Sequence, residues 1–227
     1  MLWRSTQLLV ALAVLFALFQ WATWPDVGGL AEGGPTPSAF IERHRLRFAG
    51  QTRQTWVPYD LIAAPLKHAV VVSEDMGFFS HRGFAFDEIR IALRETLKEG
   101  RELRGASTIS QQVAKNLWLS TSRNPLRKGK EAILTLQLER ALTKRRILEI
   151  YLNVAQFGPD VFGAEAAARA YFGISAAELS AAQAAELAAG LPQPRVWNPS
   201  SRDAAYRRRV ERLRARMERS RWVLREL

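Results

Sequence analysis

The chain contains no cysteine, which excludes disulfides, thiolate metal sites and a cysteine nucleophile. That absence does not choose a compartment, because exported proteins also do without cysteine. Histidine is scarce, and His44, His68 and His81 have no metal-ligand spacing, so no zinc site is read. The one Gly-Lys pair, Gly129-Lys130, lacks both the earlier glycine and the Ser/Thr of a phosphate-binding P-loop. No internal repeat is found, and strand signals are confined to about residues 40 to 57. Acid is in short supply: 33 basic residues face 22 acidic ones, a net charge of +11, which points to an anionic partner such as nucleic acid, anionic lipid or a phosphorylated substrate.

Charge of either sign is missing between Arg4 and Asp26. Leu8 to Phe19 is wholly apolar, and Trp21 and Trp24 follow where interfacial aromatics sit. About 20 apolar residues cross a bilayer as a helix, so residues 5–25 are predicted as one transmembrane segment. The run ends Ala22-Thr23-Trp24-Pro25, without the small residues of a cleavage site, which favours a retained signal-anchor over a cleaved signal peptide. Arg4 before the span, with Asp26 and Glu32 after it, suggests an inside amino terminus and an outside domain. Residues 26–40, rich in Gly and Pro, read as a linker.

The remaining pattern is mainly helical. Pro65 is read as a first helical residue, with Leu66, Ala69, Val70 and Ser73 on one stripe leading to Glu74. Thr108 with Gln111 forms a capping box that opens a helix through Leu117. Asn124-Pro125 opens another, with Leu134, Leu138, Ala141 and Leu142 on one face, and Ile147 to Leu152 forms a further helical stretch. Ser175 with Glu178, and Ser180 with Gln183, are further capping boxes before an Ala-rich run to Gly190. Residues 201–227 form a basic C-terminal helix whose Tyr206, Val210, Leu213 and Met217 recur at helical spacing. A solvated amphipathic helix and a contact with anionic headgroups both fit that tail.

Three polar clusters interrupt this pattern. Glu74 and Asp75 follow an apolar stripe and precede Phe78, Phe79 and His81. Desolvation and the negative end of a helix both suit such a carboxylate to proton uptake; an ordinary helix end with solvated acids is the alternative. Gly105 to Gln112 is a small-residue turn feeding a helix, whose free N–H groups suit a phosphate or sugar hydroxyl, or simply cap the helix. Arg127, Lys128, Lys130 and Glu131, with Arg123 upstream, read alone as a solvated basic face.

In order, these clusters resemble the signatures of the peptidoglycan glycosyltransferases, enzymes also found as the N-terminal module of class A penicillin-binding proteins. Glu-Asp-x-x-Phe-x-x-His-x-Gly at 74–83 is similar to the first signature. Gly105 to Asn116 resembles the second, with Ala106 where many members have glycine. Arg-Lys-x-x-Glu at 127–131, the run from Lys144 to Asn153 and Gly163 to Phe172 resemble the third, fourth and fifth. The likeness covers about residues 55 to 200. No Ser-x-x-Lys motif occurs and only 27 residues follow Ser200, so a monofunctional member is expected.

The resemblance implies a lysozyme-like α domain over residues 41–200 with a small apolar jaw in the bilayer. Val113, Leu117, Trp118 and Leu119 are candidates for the jaw or for core. It also implies polymerisation of lipid II with inversion and release of undecaprenyl pyrophosphate. Glu74 is then the general base, and Lys115 and Arg123 meet the leaving pyrophosphate. Glu131 is the second essential carboxylate, acting by positioning or as ligand to a divalent cation (Mg or Mn); no organic cofactor is expected. Asp75, Phe78, His81, Ser107, Thr108, Gln111, Gln112, Asn116, Arg127 and Lys128 complete the implied substrate site. The expected partners are lipid II, the growing glycan, membrane lipids and cell-division or elongation proteins. The expected location is the bacterial inner membrane, single-pass, with the catalytic domain periplasmic. A lysozyme-like hydrolase would act on the same sugars but would not need Lys115 and Arg123 beside a phosphate-binding turn. A membrane-tethered nucleic-acid binder would account for the charge, yet the tail lacks interleaved aromatics beyond Tyr206 and Trp222, and no nucleic acid is expected.

Overall fold

A computed structural model describes residues 6–7, 11–12, 14–15, 18–20, 22–32, 34, 36–48, 52–86, 90, 107–120, 122 and 124–227. At its centre runs α2 (Ala64–Glu74), buried continuously from Leu66 to Val72. Pro65 stands at its second position rather than its first, where a missing N–H still costs no intrahelical bond. Helices α7 (Ala181–Gly190) and α8 (Ala204–Arg219) pack against α2. The alanines of α7 allow a close approach: Ala184, Ala185, Ala188 and Ala189 are all fully buried. On α8, Tyr206, Leu213 and Met217 are buried, so the apolar stripe of the basic tail joins the core while its arginines, Arg209 excepted, face outward. Asp203 caps α8 by accepting from the Ala205 and Tyr206 amides.

A second group of helices surrounds α3 (Ile109–Trp118), which packs on α1 (Ala39–Phe48), α4 (Pro125–Ala141) and α5 (Lys144–Val154). The Thr108–Gln111 capping box forms as predicted, and the Asn124 side chain accepts from the Leu126 amide at 2.9 Å. Leu142 and Thr143 are extended, so α4 and α5 are separate helices. Leu134 and Leu138 are buried, but Ala141 is exposed, because the helix ends there and turns away from the core. Val113, Leu117 and Leu119 are almost wholly buried and therefore serve as core.

The strand signal at 40 to 57 is mostly overridden. Residues 39–48 are helical, since Ile41 and His44 lie three apart on the buried side of α1. Among the described residues of that stretch, only β1 (Arg53–Gln54) is a strand, pairing in parallel with β2 (Val161–Phe162), Arg53 opposite Val161. Gly163 follows at φ 82° and opens α6 (Ala164–Phe172). A side chain there would strike the Asn153 carbonyl 2.7 Å away, so glycine is required.

The stretch read as a linker is strapped to the domain. Gly28–Glu32 is a 3-10 turn, Val27 is buried, and Arg146 donates to the carbonyls of Leu30 at 2.8 Å and Gly34 at 3.0 Å. Trp24 donates to Gln137 at 2.8 Å with the Lys130 ammonium over its ring. Gly and Pro here make turns without making the chain loose. Among the described residues, no helix is long and apolar enough to cross a membrane. Residues 6–7, 11–12, 14–15, 18–20 and 22 are helical, and the rest of the predicted span before Thr23 lies outside the described residues.

Candidate active site

Glu74 is the last residue of α2, half-buried, where the helix stops and the chain turns back. One carboxylate oxygen accepts from the Gln112 amide of α3 at 3.0 Å; the other accepts from the Ser73 hydroxyl at 3.3 Å. Gln112 is itself oriented by Tyr151 of α5, whose hydroxyl donates to its Oε1 at 3.3 Å. Burial, then the charges of Glu74 and Asp75, holds the Tyr151 pKa well above the usual phenol range, so it remains a donor. The first, second and fourth signatures thus meet at one carboxylate.

Asp75 points the other way. It is buried and accepts from the Ile109 amide at 3.0 Å and from His81 Nε2 at 2.9 Å. His81 Nδ1 accepts from the Gly83 amide, which leaves the ring proton on Nε2. The Thr108 hydroxyl donates to the Gly83 carbonyl at 2.7 Å, and Gln111 is occupied in the cap. Phe78 is fully buried with the Lys144 ammonium 4.5 Å over its ring. Asp75, Phe78, His81, Thr108 and Gln111, all expected at the substrate, therefore use their polar atoms or surface to join the Glu74 turn to the start of α3.

On the opposite wall, Glu131 of α4 is buried and paired with Arg127 at 2.7 Å and with Lys128. The Arg127 Nε–H is buried and has no partner among the described residues. Lys115 stands between the walls. It keeps solvent access, yet the surrounding protein lowers its pKa below the ordinary lysine value. Glu131 and Glu74 raise it in part, while Lys128 and Arg127 reinforce the lowering. Ser107 is exposed at the mouth, and Asn116 is half-buried with its carbonyl held by Ser38 at 2.9 Å. Arg123, Gly105 and Ala106 lie outside the described residues.

The donor set does not fit a divalent ion at Glu131. Both of its oxygens already face cations, and no group of three His, Cys, Asp or Glu side chains that could hold a metal occurs among the described residues.

One residue escaped the sequence reading. Arg209 of α8 donates to the Ala189 carbonyl at 3.1 Å and to the Ser73 hydroxyl at 3.3 Å, one residue from Glu74. Burial lowers its pKa and the Glu74 charge raises it, which places the two charges within electrostatic reach. The only sequence signal was its position one residue before Val210 on a helix whose other arginines face water.

A helical domain that sets a half-buried carboxylate and a cationic wall on one crevice is equipped for group transfer from an anionic leaving group. The profile of the family described as transglycosylase matches residues 42–218. Relatives called biosynthetic peptidoglycan transglycosylase occur in Laribacter hongkongensis, 43% identical over 91% of this chain and 93% of that protein, and in an Azoarcus species, 44% identical over 95% and 94%. A third, from Bordetella avium, is 48% identical over 86% of this chain and 85% of that protein. The chain belongs to the transglycosylase family.

Proposed function

We propose that the chain is a peptidoglycan glycosyltransferase of cell wall synthesis, acting at the bacterial envelope on lipid II and the growing lipid-linked glycan. The observation that carries this reading is the crevice itself: Glu74 held by Gln112, facing Lys115, with the Arg127–Glu131 pair behind. In the proposed step, the acceptor 4-hydroxyl attacks the anomeric carbon of the donor chain. Its proton passes to Glu74 as the new O–C bond forms. The old C–O bond breaks with inversion, and its electron pair stays on the pyrophosphate. Pyrophosphate is a good leaving group, so no second carboxylic acid is required, in contrast to a glycosidase. Lys115, together with Arg123, neutralises its charge. Glu131 acts by positioning Arg127 and Lys128, and no step is routed through a metal there.

Residues 5–25 serve as the membrane anchor in this reading, supported by the exposed Leu12, Val14, Leu15, Leu18 and Phe19 among the helical residues. The test is to incubate detergent-solubilised protein with lipid II and look for polymer that a muramidase degrades. Absence of polymer with the intact protein, or shortening of added glycan, would replace this reading with a different activity.

A further inference from the structure

A cavity of about 510 Å³ opens beside α1. Phe40, Arg43, His44 and Arg47 line it at helical spacing, Phe48 follows them, and Arg195 joins from the turn after α7. The Arg195 guanidinium lies 4.3 Å from the centre of the Phe48 ring, and that of Arg47 lies 5.5 Å from it. Phe48, Leu46 beside it and Val196 next to Arg195 are all exposed, so the cavity has an apolar rim as well as a cationic one.

The three arginines of this cavity have no counter-ion. Among the described residues, Arg43, Arg47 and Arg195 pair with no carboxylate, and no acid lines the cavity. Other exposed arginines of the domain do find acids: Arg45 pairs with Glu42 at 2.7 Å, and Arg145 with Asp60 and Arg169 with Glu165, both at 2.8 Å. Arg43 donates to the Leu119 carbonyl, and burial lowers its pKa with no acid to offset the effect. His44 is buried and committed to Asp160 at 2.9 Å. Gln156 also lines the cavity; its amide group donates to the carbonyls of Gly158 at 2.8 Å and Pro159 at 3.0 Å, which leaves its side-chain oxygen as an acceptor. Guanidinium groups gathered on one ring without an acid repel one another, and a carboxylate ligand relieves that repulsion.

The elements that carry the cavity are those of the crevice, prolonged. Leu119 caps α3, seven residues or about 10 Å of helix beyond the Gln112 that holds Glu74. Gln156 follows the end of α5, five residues after Tyr151, and Arg195 follows α7, whose Ala188 carbonyl accepts from Ser73. An extended peptide covers up to about 3.5 Å per residue, so three or four residues reach from a sugar at Gln112 to the cavity. We propose that this cavity is a subsite for the carboxylate-bearing peptide attached to the sugar substrate, with Arg47 and Arg195 on its carboxylates and Gln156 accepting from a peptide N–H. This rests on the reading of the chain as a peptidoglycan glycosyltransferase. Arg43, held on Leu119, keeps the inner end of the cavity positive, while Phe48, Leu46 and Val196 cover the aliphatic parts of the peptide. The subsite selects substrate by the charge of its peptide, apart from the chemistry at Glu74.

The test uses the full-length protein in detergent with two forms of lipid II, one with free peptide carboxylates and one with those groups converted to carboxamides. Steady-state polymerisation is measured for the wild type, for Arg47→Gln/Arg195→Gln and for Arg212→Gln/Arg219→Gln, which removes the same charge from the outward side of α8. In the wild type, KM for the carboxylate form is expected to lie about 5- to 10-fold below that for the carboxamide form, the scale of two exposed ion pairs. Arg47→Gln/Arg195→Gln should erase this difference by raising KM for the carboxylate form alone, with kcat on both forms unchanged, whereas the α8 variant should keep it. Both cavity positions are exposed, and unchanged turnover of the carboxamide form reports that the variant is folded. Equal KM values for the two forms in the wild type would overturn the proposal and leave the glycosyltransferase reading in place. A rise in KM for both forms in the cavity variant, or an equal loss of discrimination in the α8 variant, would overturn it too. If the wild type polymerises neither form, the glycosyltransferase reading fails and the proposal with it.

Discussion

Replacing Lys115 separates a cation that works on the leaving group from one that merely decorates the surface. Its ammonium lies in a crevice open to water, flanked by Glu131, Glu74, Lys128 and Arg127. A donor fully enclosed around developing charge is worth about 3–4 kcal/mol; partial exposure here trims that to about 2–3 kcal/mol, or on the order of 30- to 150-fold in rate. The charge on pyrophosphate grows as the bond breaks, so Lys115→Ala should lower turnover by that factor with a smaller change in apparent affinity for lipid II. The pH profile adds a second readout. Burial lowers the Lys115 pKa, so the charged form is lost at a lower pH than for an ordinary lysine, and wild-type turnover should decline early on the alkaline side. In Lys115→Arg the guanidinium stays charged over the whole range, so the reduced activity of that variant should lack this alkaline decline. The assay is steady-state polymerisation at varied lipid II concentration and pH. Unchanged turnover in Lys115→Ala, or the same alkaline decline in Lys115→Arg, would refute the reasoning.

Glu74→Gln should abolish polymerisation with an unchanged circular dichroism spectrum, because an amide cannot take the hydroxyl proton; near-normal turnover would remove Glu74 as base. Arg209→Met should cost about 1–2 kcal/mol in the barrier, roughly 10-fold in turnover with little change in apparent affinity, and Arg209→Lys should recover part of it. Equal losses in both variants, tracking a lowered melting temperature, would make Arg209 purely structural. The chain's four tyrosines, Tyr59, Tyr151, Tyr171 and Tyr206, all have pKa values raised chiefly by burial. The stability this reflects is intact below the ordinary phenol value of about 10 and is lost as pH rises past it, since only the unfolded chain ionises freely there. Tyrosinate absorbance in the folded protein should therefore appear at higher pH than in the unfolded chain, and a folded-state titration of all four near pH 10 would contradict it. His68, whose pKa burial lowers, has the opposite dependence: its share of stability is present above about pH 6.5 and is lost as pH falls below it. A His68→Gln variant should accordingly unfold less steeply over mildly acidic pH in a thermal melt series.

Much of the local structure was legible in the residues alone, because helix ends are decided by hydrogen bonds a few residues apart. The caps at Thr108, Asn124 and Ser180 formed where their side chains could reach an amide within the first turn. Signature order also marked Glu74, Gln112, Lys115 and Glu131, which the fold brings to one crevice. What periodicity could not tell was which side of each residue pair faces which neighbour. Glu74 and Asp75 are adjacent, yet one meets the crevice and the other is consumed by Ile109 and His81, a choice made by the packing of α3 on the turn. Val113, Leu117 and Leu119 could have been jaw or core on sequence alone; α3 lies between three other helices, so they are core. Leu126, Ile133 and Leu136 on the outer side of α4 remain exposed, as Leu46 does on α1. The basic tail read as separate from the catalytic region, yet α8 lies on α2 and brings Arg209 to Ser73 across a gap of 136 residues in sequence. Local chemistry determined where helices start and which residues could react; only the tertiary contacts, each made by groups distant in the chain, decided which of them face the substrate.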